Sequence, residues 1–253
     1  MRKPLMLLAA GALIAYAATA AQAAEQSPLK TRDWPQGGPF GTFERDSLQR
    51  GFQVYKEVCA ACHSLEYLAY RHLEGIGLSE EEIEAVAAEA TVIDGPNEDG
   101  EMFERPGKPS DRMPKPFPND AAAKAANNGA LPPDLSVIVK ARKGHEDYIN
   151  SLLTGYGEPP AGVEMREGTN YNAHYPGQQI AMPPPLSEGG VTYADGTEAT
   201  VEQMSYDVTN FLAWAAEPTL EARKRMGVKV VLFLLLFTGL AYAVKRKVWA
   251  DLH

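Results

Sequence analysis

Two apolar stretches frame the chain. The first runs from Leu5 to Ala20 behind Met1-Arg2-Lys3-Pro4 and ends in the small residues Ala21-Gln22-Ala23-Ala24. A short basic start, an apolar middle and an A-x-A site form the pattern of a secretory signal peptide, with cleavage after Ala23 or Ala24. The second stretch, Gly227 to Val244, is apolar except for Lys229, Thr238 and Gly239. Its length is close to that needed to span a bilayer. Arg223, Lys224 and Arg225 precede it, and Lys245, Arg246 and Lys247 follow, with Tyr242 and Trp249 placed for the interface. A buried soluble helix is rarely apolar on every face and clamped by basic triplets at both ends. The reading is a signal peptide over 1–24, an exported head over 25–222, a transmembrane anchor with basic flanks over 223–248 and a cytoplasmic tail over 249–253.

Inside the head, apolar residues recur at helical spacing in a few places. Leu48, Phe52, Tyr55 and Val58 predict a helix over 46–58 with Asp46 as a candidate N-cap. Leu65, Leu68 and His72 suggest a second, short helix over 65–73. Residues 79–90 read as an acidic helix opened by a Ser79/Glu82 capping box. Residues 91–120 are rich in Pro, Gly and acids, lack periodicity and read as a surface loop. Asp120 is placed to cap a short Ala-rich helix, and a further helix is predicted over 145–154. Residues 155–196 are again irregular. Thr200 and Gln203 then open a helix over 201–216 with Val201, Met204, Val208, Phe211 and Ala215 on one side. Pro218 sits where the next helix, the one entering the membrane, begins. No repeat and no convincing alternating strand series is visible. The expected fold is mainly α with long loops.

Composition adjusts this picture. The 253 residues include 19 Pro and 22 Gly, in keeping with a domain held largely by loops and turns. The formal net charge is −9, against nucleic-acid binding, which needs basic surface. That figure averages two unlike parts. Residues 25–222 hold 32 acidic and 15 basic side chains, a net −17, whereas the anchor and its flanks are basic. Ten of those acids fall between Glu80 and Glu104 with no Lys or Arg among them, a run that most simply forms a solvated face.

The chain has two cysteines, which excludes a multi-bridge disulfide scaffold. They occur in Cys59-Ala60-Ala61-Cys62-His63, the C-x-x-C-H pattern of covalent c-type haem attachment. Two thiols so spaced on a helical turn can each add to a haem vinyl group, leaving the next imidazole under the iron. A zinc half-site would want a second ligand pair that two cysteines cannot supply. A thioredoxin-type dithiol belongs at a strand-to-helix turn, whereas this motif follows a helix. A plain disulfide is the remaining alternative, and the exported context favours haem c. His63 is then the proximal axial ligand. For the sixth position, Met182 stands out in Ala181-Met182-Pro183-Pro184-Pro185, where three prolines fix an extended backbone. His145, His174, Met102, Met113, Met165 and an open site remain alternatives. His72 is tied to the proximal side by its place in the sequence.

Longer strings carry a resemblance. They are Arg50 to Tyr55 leading into Cys59–His63, Asn127 to Ser136 (NNGALPPDLS), Gly144 to Tyr148, Ser151 to Tyr156 (SLLTGY), Pro176 to Pro185 and Trp214 to Gly227 (WAAEPTLEARKRMG). Through them the chain resembles the cytochrome c1 family, the haem-bearing subunits of cytochrome bc1 complexes, in its bacterial form. The resemblance covers nearly the whole chain after the signal peptide.

The resemblance implies a class I-type cytochrome c domain with long loop insertions and one haem c linked at Cys59 and Cys62. It implies His63 and Met182 as iron ligands, and places Asn127, Pro132 and Pro133 along the haem pocket. It puts Arg142 at a haem propionate and Tyr148 beside it, although Arg142 in its basic run would otherwise read as a solvated side chain. Some members have an extra cysteine pair before the methionine ligand; this chain has none. The implied partners are cytochrome b around the anchor, the Rieske iron–sulfur protein as donor and a cytochrome c as acceptor, within a dimeric complex in the bacterial inner membrane. His/Met ligation leaves no free position on iron, so the expected work is single-electron transfer. Catalysis of quinol oxidation belongs to the complex, not to this chain alone. A membrane-anchored electron shuttle outside such a complex is the alternative. A peroxidase or gas sensor would need an open sixth position. The net −17 of the head suits steering of a basic cytochrome c.

Overall fold

The structure, a computed structural model, describes residues 27–250. The signal-peptide segment and the last three residues of the tail lie outside the described residues.

Two helices form the centre of the head. Helix α1, Arg45–Glu57, buries Leu48, Gly51, Phe52, Val54 and Tyr55 along one face. Helix α6, Val201–Ala216, starts where the Thr200 hydroxyl accepts the Gln203 N–H at 3.1 Å. It buries nearly its whole length, including Met204, Val208, Phe211, Leu212 and Trp214. The two helices pack on each other directly. The Phe211 ring centroid lies 5.5 Å from Phe52, 5.9 Å from Tyr55 and 5.8 Å from Trp214. Each ring buried this fully contributes roughly 1.5–3 kcal/mol. At the side of this contact, Arg50 on α1 reaches the buried Asp207 on α6 with Nε at 2.9 Å and Nη2 at 3.2 Å, and Asp195 with Nη1 at 2.8 Å.

Smaller elements close around this pair. A 3-10 helix, Tyr70–Ile76, and helix α2, Glu80–Ala88, pack together below α1. The Ser79/Glu82 capping box is present in both directions, at 3.3 and 2.8 Å. Helix α3 covers Asp120–Ala126, α4 Ile138–Ala141 and α5 His145–Leu153, with α4 and α5 resting on α6. Helix α7, Leu220–Val248, is a single 29-residue rod, about 43 Å long, whose apolar core has a mean hydropathy of 2.1. Leu220 in its first turn packs against the core of the head, while the large apolar side chains from Met226 to Val248 are exposed, as a membrane anchor requires.

Several local expectations change, beginning with the cap of α1: Asp46 lies inside the first turn, and the N-cap position is Glu44. Residues 91–120 are not structureless: β1, Thr91–Asp94, pairs antiparallel with β2, Phe103–Pro106. The hairpin has no buried apolar face, so it leaves no alternation to read; Arg105 binds Asp94 and Asp111 instead. The helix expected over 65–73 is displaced to Tyr70–Ile76, because the Glu66 and Tyr67 amides are taken by Asp134 and Ser136 side chains. The cap of α3 is Asn119, whose side chain accepts the Ala122 N–H at 2.9 Å, and not Asp120. The four-residue α4 is too short to show a period. In the irregular 155–196 region, β3 (Asn170–Tyr171) and β4 (Gln179–Ile180) form a two-residue ladder.

Candidate haem site

Helix α1 delivers the C-x-x-C-H sequence directly. It ends at Glu57, and Cys59–Ala61 continue as one 3-10 turn. The amides of Cys62 and His63 both donate to the Cys59 carbonyl, at 3.1 and 2.9 Å, which folds the motif back on itself. Both cysteines are free, half-buried thiols. Burial, with a smaller contribution from Cys62, pushes the Cys59 thiol up to about 12. A redox dithiol needs the opposite, a thiol with lowered pKa. Among the described residues no three His, Cys, Asp or Glu side chains cluster in a way that could hold a metal ion, so the zinc reading has no partner ligands.

The imidazole of His63 is oriented by a backbone group. Its Nδ1 lies 2.8 Å from the Pro133 carbonyl. A carbonyl can only accept, so Nδ1 carries the proton and Nε2 presents its lone pair. Burial lowers the His63 pKa, opposed by that hydrogen bond, and keeps the ring neutral. A neutral imidazole with its far nitrogen free is the donor that a haem iron takes, so the residues present fit the cofactor. Tyr55 fixes the backbone behind it, donating its hydroxyl to the His63 carbonyl at 3.1 Å.

Pro133 is held in place by Asp134. One Asp134 oxygen accepts from Ser64 Oγ and from the Glu66 N–H, both at 2.8 Å, and the other accepts from the Ser136 N–H at 2.9 Å. Burial works to raise this carboxyl, but the hydrogen bonds prevail and hold it below its ordinary value. Pro132 is half-buried next to this staple. Asn127 ends α3, donating its side-chain amide to the Ala123 carbonyl at 2.8 Å.

A second cluster surrounds Met182. Its carbonyl accepts from Tyr156 Oη at 3.2 Å and Asn170 Nδ2 at 3.3 Å. Asn170 begins β3, paired with Ile180 of β4 just ahead of Met182. Gln179 ties this ladder to the preceding loop, accepting from the Arg166 N–H at 3.0 Å and donating to the Glu164 carbonyl at 3.1 Å. The segment therefore has a hydrogen-bonded frame of its own. Arg142 is half-buried and donates to the Ala141 carbonyl at 3.3 Å; burial pushes the Tyr148 phenol up, and the Arg142 charge opposes that rise. Tyr148 in turn acts electrostatically on Tyr156, which burial keeps protonated as a donor. Hydrogen bonds thus join Cys59, Cys62, His63 and Pro133 in one group, whereas Arg142 and Tyr148 are related to Met182 electrostatically through Tyr156, which hydrogen-bonds the Met182 carbonyl.

His174 is buried against Gly155, where an added Cβ would meet its ring at 2.6 Å, and its Nδ1 lies 3.4 Å from the Ser27 carbonyl. His72 accepts the Ala69 N–H at 3.1 Å and so closes the start of its own 3-10 helix.

The motif, its histidine frame and the anchor agree with what comparison finds. The cytochrome C1 family matches residues 34–252. The chain belongs to that family. It is 52% identical over 220 residues to the mitochondrial cytochrome c1 haem protein of Schizosaccharomyces pombe, covering 87% of this chain and 72% of that protein. It is 47% identical to the cytochrome c1 of Rhodospirillum rubrum, covering 97% and 96%. A cytochrome b/c1 of Bradyrhizobium diazoefficiens is 49% identical over 98% of this chain, which spans only 39% of that protein. Members of the family carry covalently attached haem c and form the electron-transferring haem subunit of the bc1 complex, so the cofactor of this chain is haem c. The mainly helical head with a C-terminal anchor is the architecture expected of a class I-type cytochrome c domain on a membrane helix.

Sequence reading passed over three residues that build the site, Asp134, Tyr156 and Asn170, and the role of the Pro133 carbonyl as an acceptor. The carbonyl has no sequence signal. Asp134, directly after Pro132-Pro133 and ahead of Ser136, is a side chain–backbone turn former and could have been found.

Proposed function

We propose that this chain takes single electrons from the Rieske iron–sulfur protein and gives them to a cytochrome c, as a subunit held beside cytochrome b in a dimeric bc1 complex. Haem c, linked at Cys59 and Cys62 and ligated by His63 and Met182, would supply a one-electron iron couple of relatively high potential. The observation that carries the reading is the His63 ring, fixed by Pro133 as a neutral donor directly after the two cysteines. Around the cofactor, Tyr156 and Asn170 position Met182, Arg142 with Tyr148 faces a propionate, and Asn127, Pro132 and Pro133 line the pocket.

The head over 25–222 faces the periplasm after removal of residues 1–24, the anchor over 223–248 crosses the inner membrane, and 249–253 remain cytoplasmic. The basic triplet Lys245–Lys247 at the far end of α7 suits the cytoplasmic side. The net −17 of the head favours encounter with a basic cytochrome c, at a rate that falls as salt rises.

Met182→Leu tests the ligand set. It should leave the haem attached while lowering its potential and removing the methionine–iron charge-transfer band; an unchanged band rules the ligand out. Isolation in mild detergent tests the assembly. A b-type haem and a Rieske centre should accompany the chain, and their absence would favour an anchored shuttle outside any complex.

A further inference from the structure

The haem cluster leaves unexplained the place where the head meets α7. A cavity of about 160 Å³ lies there, between the loop carrying Pro39 and Phe40 and the first turns of α7, where Glu221, Lys224, Arg225 and Val228 line it. Its character changes along the helix. Lys224 and Arg225 face it on the head side, and Val228 opens the apolar stretch one turn further on. Phe40 is 79% exposed, high for an apolar residue on a head whose other large side chains are mostly covered.

The charges in the cavity favour an anion. Lys224 gives two of its three hydrogens to the carbonyls of Gln36 at 2.6 Å and Gly41 at 3.0 Å, which fixes the ammonium beside the loop. The single carboxylate, Glu221, is already met by Arg45 at 2.8 Å and by the Phe43 N–H at 2.9 Å. Arg225 is exposed beside it. A cationic rim directly above an apolar wall, at the level where a spanning helix leaves the bilayer, matches a phospholipid: phosphodiester at the rim, acyl chains along the helix.

We propose that the cavity holds the phosphate group of one phospholipid of the head-side leaflet, with Arg225 and Lys224 on the phosphodiester and Phe40 inserted among the upper acyl carbons. The proposal rests on α7 spanning the membrane. It commits to a lipid rather than to free phosphate, because Phe40 and Val228 would have no role with a soluble anion.

A photo-crosslinker tests it. The full chain would be produced with p-benzoyl-phenylalanine replacing Phe40, an exposed site that tolerates the change, and irradiated in its own membranes. A lipid adduct on the peptide containing position 40 is expected, with a yield about fivefold lower in an Arg225→Gln background, the factor one basic residue near a membrane surface contributes. Lys247→Gln, at the other end of α7, should leave the yield unchanged. An adduct with another protein subunit, or with no lipid, overturns the proposal, as does equal loss in the two charge variants. Alkaline carbonate extraction separates its failure from that of the anchor: a chain released by carbonate refutes the spanning helix itself, whereas a retained chain without the lipid adduct refutes only the site.

Discussion

Gly51 on α1 lies directly against the backbone carbonyl of Asp207 on α6, so close that an added Cβ would come within 2.0 Å of that oxygen and 2.7 Å of the Phe211 Cβ. Backbone on both sides leaves nothing flexible to give way. The closeness of the two helices is what lets Phe211 meet both Phe52 and Tyr55. Gly51→Ala should therefore destabilise the head by about 3 kcal/mol through overpacking. For a domain of this size that is a fall in Tm of about 6–12 °C, readable by thermal unfolding followed at the haem band. An unchanged Tm would mean the helices sit farther apart.

Beside that contact, Asp207 is wholly buried and bound by two guanidinium nitrogens of Arg50. Removing the acid leaves a half-buried cation with the exposed Asp195 as its remaining ion-pair partner and the Tyr193 ring beside it. Asp207→Ala should cost about 3–5 kcal/mol, the usual penalty for breaking a buried pair from one side. Exchange of both Arg50 and Asp207 for Met and Leu should cost much less. Denaturant midpoints of the three proteins measure the difference.

The parts of the fold that could be read in advance are those in which one face alone decides the structure. Helix α1 shows its Leu48, Phe52 and Tyr55 stripe, and the caps at Ser79 and Thr200 announce α2 and α6. What could not be read is held by groups distant in sequence. The β1–β2 hairpin depends on Arg105 reaching Asp94 and Asp111, and the path of 64–67 depends on Asp134, some 70 residues on. The candidate site divides in the same way. Cys59, Cys62 and His63 form one short string, while the acceptor that sets the histidine tautomer is a main-chain oxygen at Pro133.

The Arg105 network predicts how the hairpin responds to acid. Arg105 donates to both Asp111 oxygens, at 2.6 and 3.0 Å, and this bidentate bond is the main reason the Asp111 carboxyl is held at about 2. The folded value lies below the unfolded one, so the contribution is complete above about pH 4 and is lost as pH falls towards 2. Amide exchange in β1 and β2 should accelerate over that window in the native protein, and Asp111→Asn should show the faster exchange already at neutral pH. A hairpin equally protected at pH 2.5 and pH 6 would contradict it, the first value lying inside the expected transition and the second well above it.

The frame of Met182 can be loosened without touching the methionine. Tyr156→Phe with Asn170→Ala removes both donors from the Met182 carbonyl. Each neutral hydrogen bond contributes about 1 kcal/mol, so the segment should be released by roughly 2 kcal/mol. Haem should stay attached, while the methionine–iron band is lost at lower temperature than in the parent protein. The comparison with Tyr156→Phe alone checks additivity, and a band with unaltered thermal loss would show that the three prolines suffice.

The joint between head and anchor is built of ion pairs, and its role is orientation more than stability. Glu217, just after α6, meets Lys140 at 2.7 Å and Arg223 as well, and Glu221 in the first turn of α7 takes the Phe43 N–H at 2.9 Å and Arg45 at 2.8 Å. These four side-chain contacts tie α4, the start of α1 with the segment before it, and α7 to one another. Exposed pairs of this kind contribute at most about 1 kcal/mol each, so Glu217→Gln with Glu221→Gln should leave the Tm of the head nearly unchanged. The angle between head and helix should instead become broader. Electron paramagnetic resonance of the haem in oriented membranes measures that angle, and the double variant should show a widened distribution of haem tilt at unaltered haem content. A distribution as narrow as the parent's would place the orientation of the head in contacts outside this chain.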